Sequence, residues 1–416
     1  MRQKKLYKAI EKIASAQYET SKDMLQEILV QIMNEATTKI TGGRIWQLDP
    51  KRKGYKLLFQ AGKDSKIDKN FILKIADYPI FEQITKYRTV LAKETNKILI
   101  SKGIYFYSAS GVGSRIKINN KYYYEYLLAL NSESIDEDLR YTLNIVATIL
   151  TSKIRERRIS RSAQNLKEDI FKARELQKSI LPEHEYNFYN YQIFGVTVPS
   201  EIIGGDFFDY LQIGFDEDRL GITVGDAASK GLSAAAEAMY ISGAIRMGSF
   251  FQMKISPMMF RLNNLVNKIF SDEKFSSLFY GEISSDKKGL FLYANAGHNP
   301  PMFFSSKSKK IHYLEPTGAL LGVAPNSRFE TDSINFQPGD FLVIFSDGIV
   351  EAANDKFEFF GEAKLESIIH KNYNASPREI VYKILEEVQI FSTNESKYQD
   401  DKTVVVIKRL ENNGTK

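Results

Sequence analysis

Three apolar runs in the second half of the chain each abut an aspartate. Gly221-Ile222-Thr223-Val224 leads to Gly225-Asp226, and Phe341-Leu342-Val343-Ile344-Phe345 leads to Ser346-Asp347. Asp400-Asp401-Lys402-Thr403 opens onto Val404-Val405-Val406-Ile407. Runs of this length and composition are strand-like. Strands of packed sheets bring residues distant in sequence to one rim, where several aspartates repel each other unless cations lie between them. Two further segments carry polar groups, Gly204-Gly205-Asp206-Phe207-Phe208-Asp209-Tyr210 and Ala296-Gly297-His298-Asn299-Pro300. Hard oxygen donors suit Mg²⁺ or Mn²⁺. The pattern points to a carboxylate metal site.

Length and composition set the frame. A chain of 416 residues is long enough for two domains, and 43% apolar residues suffice for ordinary cores. A formal charge of +6 without a clustered basic face is a weak case for nucleic acid, and no nucleic-acid partner is expected. With no cysteine, disulfides, thiolate metal sites and a thiol nucleophile are excluded, and a reducing cytoplasm is the expected location. No apolar stretch reaches the roughly 18 residues of a membrane span. The opening Met1-Arg2-Gln3-Lys4-Lys5-Leu6 is basic but runs into a charge-dotted amphipathic segment, unlike a secretion signal.

Residues 4–40 carry Leu6, Ile10, Ile13, Leu25, Ile28, Leu29, Ile32 and Met33 at helical spacing, and Thr41-Gly42-Gly43 is expected to stop that helix. Residues 44–48 and 55–59 alternate like strands around the turn at Asp49-Pro50. A helix, hairpin, mixed region and closing helix over residues 1–150 resemble a GAF-type sensory α+β domain. Residues 136–181 contain neither Gly nor Pro, and predict a long linker helix. Along it Leu139, Leu143, Val146 and Leu150, then Ile159, Ala163, Leu166, Ile170 and Ala173, reaching Gln177 and Ile180, form a heptad-like seam. The seam predicts a parallel homodimer; the plainer reading is a single helix lying on its own domain. The basic group Lys153, Arg155, Arg157, Arg158 and Arg161 reads as a solvated face. Over residues 183–411 short strands and two helical stretches, one starting at Ser233 and one over 376–391, predict two stacked antiparallel sheets flanked by helices.

Eight segments, in order, carry a further resemblance: residues 176–182, 204–210, 225–226, 295–301, 318–322, 338–340, 345–351 and 400–403. They resemble the bacterial serine phosphatases that control alternative sigma factors and sporulation, which belong to the metal-dependent PPM protein phosphatases. The resemblance covers residues 176–410 and implies an α-β-β-α sandwich. It implies two ions, Mn²⁺ or Mg²⁺, held by Asp206, Asp226, the backbone carbonyl of Ala227, Asp347 and Asp400, with those aspartates as the catalytic residues. Asp401 would be a supporting partner or an alternative ligand. A metal-activated water would attack phosphoserine or phosphothreonine in line, without a phosphoenzyme. The implied substrate is a small phosphorylated regulator such as an anti-sigma-factor antagonist.

Each motif alone has a plainer reading. Asp206 and Asp209 follow Gly-Gly and suit a turn, Asp347-Gly348 is a common turn pair, and Asp400-Asp401 suits an exposed strand start. His298, beside Asn299-Pro300-Pro301, is expected to brace a turn rather than move protons. Gly318 to Gly322 reads as a turn rather than a phosphate loop. One departure stands out. Relatives continue after the second Asp with a small residue, Ser, Gly, His and Gly, whereas this chain has Asp226-Ala227-Ala228-Ser229-Lys230-Gly231. Ser229 would strain the loop if positive φ were needed there, and Lys230 is expected to point into solvent or to hold phosphate. The departure leaves a non-catalytic binding protein of the same fold as the alternative function.

Overall fold

The computed structural model describes residues 18–35, 40–63, 66–134, 137–214, 217–270, 275–286, 288–392 and 399–410. The chain divides into two units, Met1–Asn165 and Leu166–Lys416.

The first unit is built on one antiparallel sheet of six strands: β1 (Ile40–Asp49), β2 (Gly54–Gly62), β3 (Ile72–Lys74), β4 (Thr89–Lys93), β5 (Phe106–Ile118) and β6 (Lys121–Ser132), in the order β3-β2-β1-β6-β5-β4. Its helices are α1 (Ser21–Glu35), α2 (Ile80–Tyr87), α3 (Lys97–Ser101) and the first part of α4 (Glu137–Ile180). Alternation along the strands gives the sheet two apolar faces. Ile45, Leu128 and Leu130 pack with Leu25, Ile28 and Leu29 of α1 and with Leu139, Leu143, Val146 and Leu150 of α4. Trp46, Leu48, Tyr55 and Leu127 pack with Phe81 and Ile84 of α2 and Leu99 of α3.

Two expectations change here. Gly42 and Gly43 do not end a helix; α1 ends at Glu35 and both glycines lie inside β1. A Cβ on Gly43 would sit 2.4 Å from Leu29 Cδ1, so the glycine lets α1 lie close on the sheet. The predicted helix over residues 4–17 lies outside the described residues. The linker helix runs unbroken for 44 residues, but its seam is divided. Leu143 and Leu150, both 0% exposed, are spent on the first unit's own core, whereas Ile159 and Leu166 are 61% and 62% exposed. Within the basic group, Arg158 pairs with Glu125 at 2.6 Å.

The second unit stacks two antiparallel sheets. One has the order β15-β12-β11-β10-β9 and the other β14-β13-β16-β17-β8-β7. Their strands are β7 (Glu185–Phe188), β8 (Tyr191–Val198), β9 (Phe207–Ile213), β10 (Arg219–Ala227), β11 (Ser276–Ser284), β12 (Leu290–Ala296), β13 (Met302–Phe304), β14 (Ile311–Tyr313), β15 (Asp332–Asn335), β16 (Phe341–Phe345) and β17 (Lys402–Arg409). The helices are α5 (Leu232–Phe250), α6 (Ile255–Ile269), α7 (Asp347–Val350), α8 (Glu362–Lys371) and α9 (Pro377–Phe391). Ile222, Val224 and Phe279 meet Ile344, Val405 and Ile407 between the sheets. On the outer face of the first sheet, Leu278 and Tyr280 pack against Ile241 and Ile245 of α5 and Met259 and Leu262 of α6. On the outer face of the second, Val343, Val404 and Val406 pack against Leu365 and Ile369 of α8 and Ile380 and Ile384 of α9. The fold is therefore an α-β-β-α sandwich, and β17 is apolar at every position from Val404 to Ile407 because both of its faces are covered.

The sequence reading missed α6 and α8, the edge strands β14 and β15, and β9. The last is instructive, because Asp206 and Asp209 after Gly-Gly, taken alone, suit a turn. Asp209 is a buried strand residue, paired with Arg246 of α5 at 2.6 Å.

Candidate metal centre

Strand pairing collects the acids. In one sheet Gly225 of β10 faces Phe207 of β9, so the end of β10 lies beside the start of β9. Asp226 is the next-to-last residue of β10, and Asp206 immediately precedes β9. In the other sheet Phe345 of β16 faces Val404 of β17. Asp347 opens α7 just beyond β16, and Asp400 and Asp401 lie just before β17. The Thr403 hydroxyl donates to Asp206 Oδ2 at 2.7 Å, which ties the rim of one sheet to the other.

The acids feel each other's charge. Burial first, then Asp226 and Asp401, pushes the Asp206 carboxyl well above the usual carboxylate range; bonds from Thr403 and Ser346 oppose the rise. Burial, then Asp347 and Asp400, pushes Asp226 up to about 7, and a hydrogen bond between Asp226 and Asp206 works against the rise. Burial, then Asp400 and Glu351, pushes Asp347 up to about 6. Such mutual elevation is what carboxylates sharing one site produce. Gly205 lies against the carbonyl oxygen of Ala227, since a Cβ there would stand 2.9 Å from it. The donors gathered at this rim are all oxygens, which fits Mn²⁺ or Mg²⁺ rather than a softer ion. Among the described residues, no three acid or histidine side chains close around one point as metal ligands do. The four aspartates lie at the strand ends of the two sheets, with Asp226 acting on Asp206 and acted on by Asp347 and Asp400.

Asp401 has a different task from its neighbour. Its Oδ1 accepts from the Ser200 backbone N–H at 2.7 Å and the Ser200 hydroxyl at 3.0 Å. Its Oδ2 accepts from the Gly205 N–H at 2.6 Å and the Asp206 N–H at 3.3 Å. A Cβ on Gly204 would fall 2.2 Å from Asp401 Oδ2, so only glycine admits this approach. Asp401, 6% exposed, thus clamps the loop that carries Asp206. Ser346 completes the brace: its hydroxyl accepts from the Thr403 N–H at 2.9 Å and donates to the Asp401 carbonyl at 3.1 Å. On the other side of the loop, Gln177 Nε2 of α4 donates to the Gly204 carbonyl at 2.7 Å. The sequence gives no signal for Ser200, places Gln177 only at the end of the helix seam, and marks Ser346 only as part of the motif around Asp347.

His298 is held by its own turn and by Ser277 of β11. It is 1% exposed, its backbone N–H donates to Asn295 Oδ1 at 2.8 Å, and its ring Nδ1 lies 2.8 Å from the Ser277 hydroxyl. Burial lowers its imidazole to about 4, against a smaller contribution from the Phe345 backbone. It is a neutral brace for the turn after β12.

Residues 216–410 match the family model described as Stage II sporulation protein E (SpoIIE). The chain is 28% identical over 268 residues to Protein IcfG of Synechocystis, covering 58% of this chain and 41% of that protein. It is 26% identical over 282 residues to phosphoserine phosphatase RsbU of Bacillus subtilis, covering 66% of this chain and 82% of that one. The chain thus spans less than half the length of IcfG but most of RsbU. Among solved structures, the SiaA-PP2C domain of Pseudomonas aeruginosa aligns with a TM-score of 0.50 and 16% identity, covering 60% of this chain and 99% of that domain, a likeness of fold. The order of motifs, the sandwich and these relatives agree: the C-terminal part of this chain is a SpoIIE-type phosphatase domain of the PPM (PP2C) group.

Proposed function

We propose that the C-terminal unit is a metal-dependent protein phosphatase that hydrolyses phosphoserine or phosphothreonine on a small regulatory protein, such as an anti-sigma-factor antagonist. The observation that carries this reading is the gathering of Asp206, Asp226, Asp347 and Asp400 at the strand ends of the two sheets, where Asp226 acts on Asp206, and Asp347 and Asp400 act on Asp226. Those four side chains and the Ala227 carbonyl would hold two ions, Mn²⁺ or Mg²⁺. When bound, the ions supply a nucleophilic water near neutral pH and offset phosphoryl charge. The chain's own part is positional. Asp401 and Thr403 fix Asp206. His298, buried and with its imidazole pushed down, serves as a brace for the turn after β12.

The test is Mn²⁺-dependent hydrolysis of p-nitrophenyl phosphate and of a phosphoserine peptide. Asp226→Asn and Asp347→Asn should each lower it by about 100-fold or more, since even outer partners of metal ligands cost about 10–100-fold. Full activity in either variant, or activity that survives chelation, would refute the metal reading. Binding of a phosphoprotein without turnover would favour the non-catalytic alternative.

Residues 1–150 are proposed as a GAF-like sensory unit, and α4 as its output, in a cytoplasmic signalling protein. Among the described residues no helix is long and apolar enough to cross a membrane. Exposed Ile159 and Leu166 support pairing of α4 with a second copy, and the Gln177 bond to Gly204 supports control of the Asp206 loop by that helix. A helix with two packings supplies the bistability that a switch needs. Leu166→Lys with Ile170→Lys should shift the mass measured by light scattering from dimer to monomer and change phosphatase rate. Unchanged mass together with unchanged rate would refute it.

A further inference from the structure

The two residues that depart from the family pattern, Ser229 and Lys230, are both engaged. Ser229 carries no backbone strain: the positive φ in this loop belongs to Gly231, at 66°, and Ser229 is not among the residues with positive φ. Its hydroxyl donates to Glu237 Oε1 of α5 at 2.8 Å, and Glu237 is 2% exposed. The loop is thereby pinned to the helix that follows it. One residue on, the Lys230 ammonium reaches Asp400 Oδ2 at 3.1 Å. Its charge also acts on Asp347. The side chains are 65% and 46% exposed, so the ion pair is a loose one.

We propose that Lys230 is a tethered competitor for the divalent cation at the Asp400 end of the acid cluster, so that an ion gains this carboxylate only by displacing the ammonium. The inference rests on the metal-centre reading above. An ammonium with one charge cannot hold a carboxylate against a divalent ion that also engages neighbouring acids, so Lys230 does not block the site. It raises the metal concentration at which the site fills. Displaced but still on its short loop, the lysine continues to oppose the ion through space. Two positive species about 5 Å apart in a solvated site repel enough to alter affinity by about 3- to 20-fold. The phosphatase would then respond to divalent ions over a higher concentration range than a chain with a neutral residue at this position.

The experiment is calorimetric titration of the metal-stripped full-length chain with Mn²⁺, without substrate. Lys230→Met should bind the weaker Mn²⁺ about 3- to 20-fold more tightly than the unaltered chain, with the gain shrinking as salt rises. Lys230→Gln should behave alike, and Lys230→Arg should stay near the unaltered affinity because its charge is kept. On an Asp400→Asn background, which removes the contested carboxylate, Lys230→Met should bring a much smaller gain. Unchanged Mn²⁺ affinity in both Lys230→Met and Lys230→Gln overturns the proposal. So does unchanged Mn²⁺ affinity with weaker binding of inorganic phosphate, which would make Lys230 an anion anchor instead. Failure of the metal-centre reading looks different: the unaltered chain takes up no Mn²⁺, or Asp400→Asn titrates as the unaltered chain does.

Discussion

Asp400 and Asp401 are neighbours with opposite employment. Asp400 is half exposed and meets Lys230, whereas Asp401 is buried beneath the Gly204-Gly205-Asp206 loop and accepts bonds at both oxygens. Replacing Asp401 by Ala leaves buried N–H donors unpaired and should lower stability by about 3 kcal/mol in urea denaturation. Asp400→Asn should stay within about 0.5 kcal/mol in chelator, as a surface change. Equal losses would contradict the clamp. His298 gives a pH signature. Its imidazole is held down at about 4, whereas the unfolded chain takes up that proton near 6.5. Protons therefore favour the unfolded state between those values: this contribution to stability is complete above about 6.5 and is lost as pH falls toward about 4. The Asp206, Asp226 and Asp347 carboxyls, whose ionisation the fold opposes, act in the opposite direction over the same range. The His298 contribution is therefore a difference: the unaltered chain should lose urea stability relative to the His298→Asn variant as pH falls from about 6.5 toward about 4. A parallel slope would contradict a buried neutral ring.

At the scale of elements, α4 is one helix with two environments. Leu143 lies wholly within the first unit's core, and Leu143→Ala should cost about 2–5 kcal/mol there. Leu166, 62% exposed, should cost less than about 0.5 kcal/mol when truncated in a dilute monomeric sample. Denaturation of the two variants side by side checks the division, and a comparable loss at Leu166 would mean that it too is core. The heptad spacing showed that a helix would form but not which of its turns face the protein's own sheet. Elsewhere the legible elements were those buried on both faces. β16 coincides with the apolar run Phe341 to Phe345 because nothing but apolar side chains suits it. β9 was hidden because its buried acid, Asp209, is neutralised by Arg246 from a helix 37 residues away. β14 and β15 are short edge strands, half exposed, and carry no continuous apolar run.

At the scale of the whole molecule, the two units have separate cores, and only the second gathers the acids. Mn²⁺ at 100-fold over its dissociation constant should stabilise that unit by about 2.7 kcal/mol through mass action. Calorimetric scans with and without Mn²⁺ should move the transition of the C-terminal unit upward and leave that of the first unit in place. A shift confined to the first unit would put the ion elsewhere.

The amino-acid sequence alone determined the apolar strands β10, β16 and β17 and the acids at their ends, because a strand covered on both sides by apolar layers is apolar along its length and its first polar residue marks the rim. It also determined the long helix, which follows from an absence of Gly and Pro. Folding decided the rest: that Asp401 clamps while Asp400 stays open, that the solvent-exposed Lys230 also reaches Asp400, and that the helix seam is half consumed. These depend on which way adjacent side chains point and on partners up to 201 residues away, as for Asp401 and Ser200, and neither is written in local spacing.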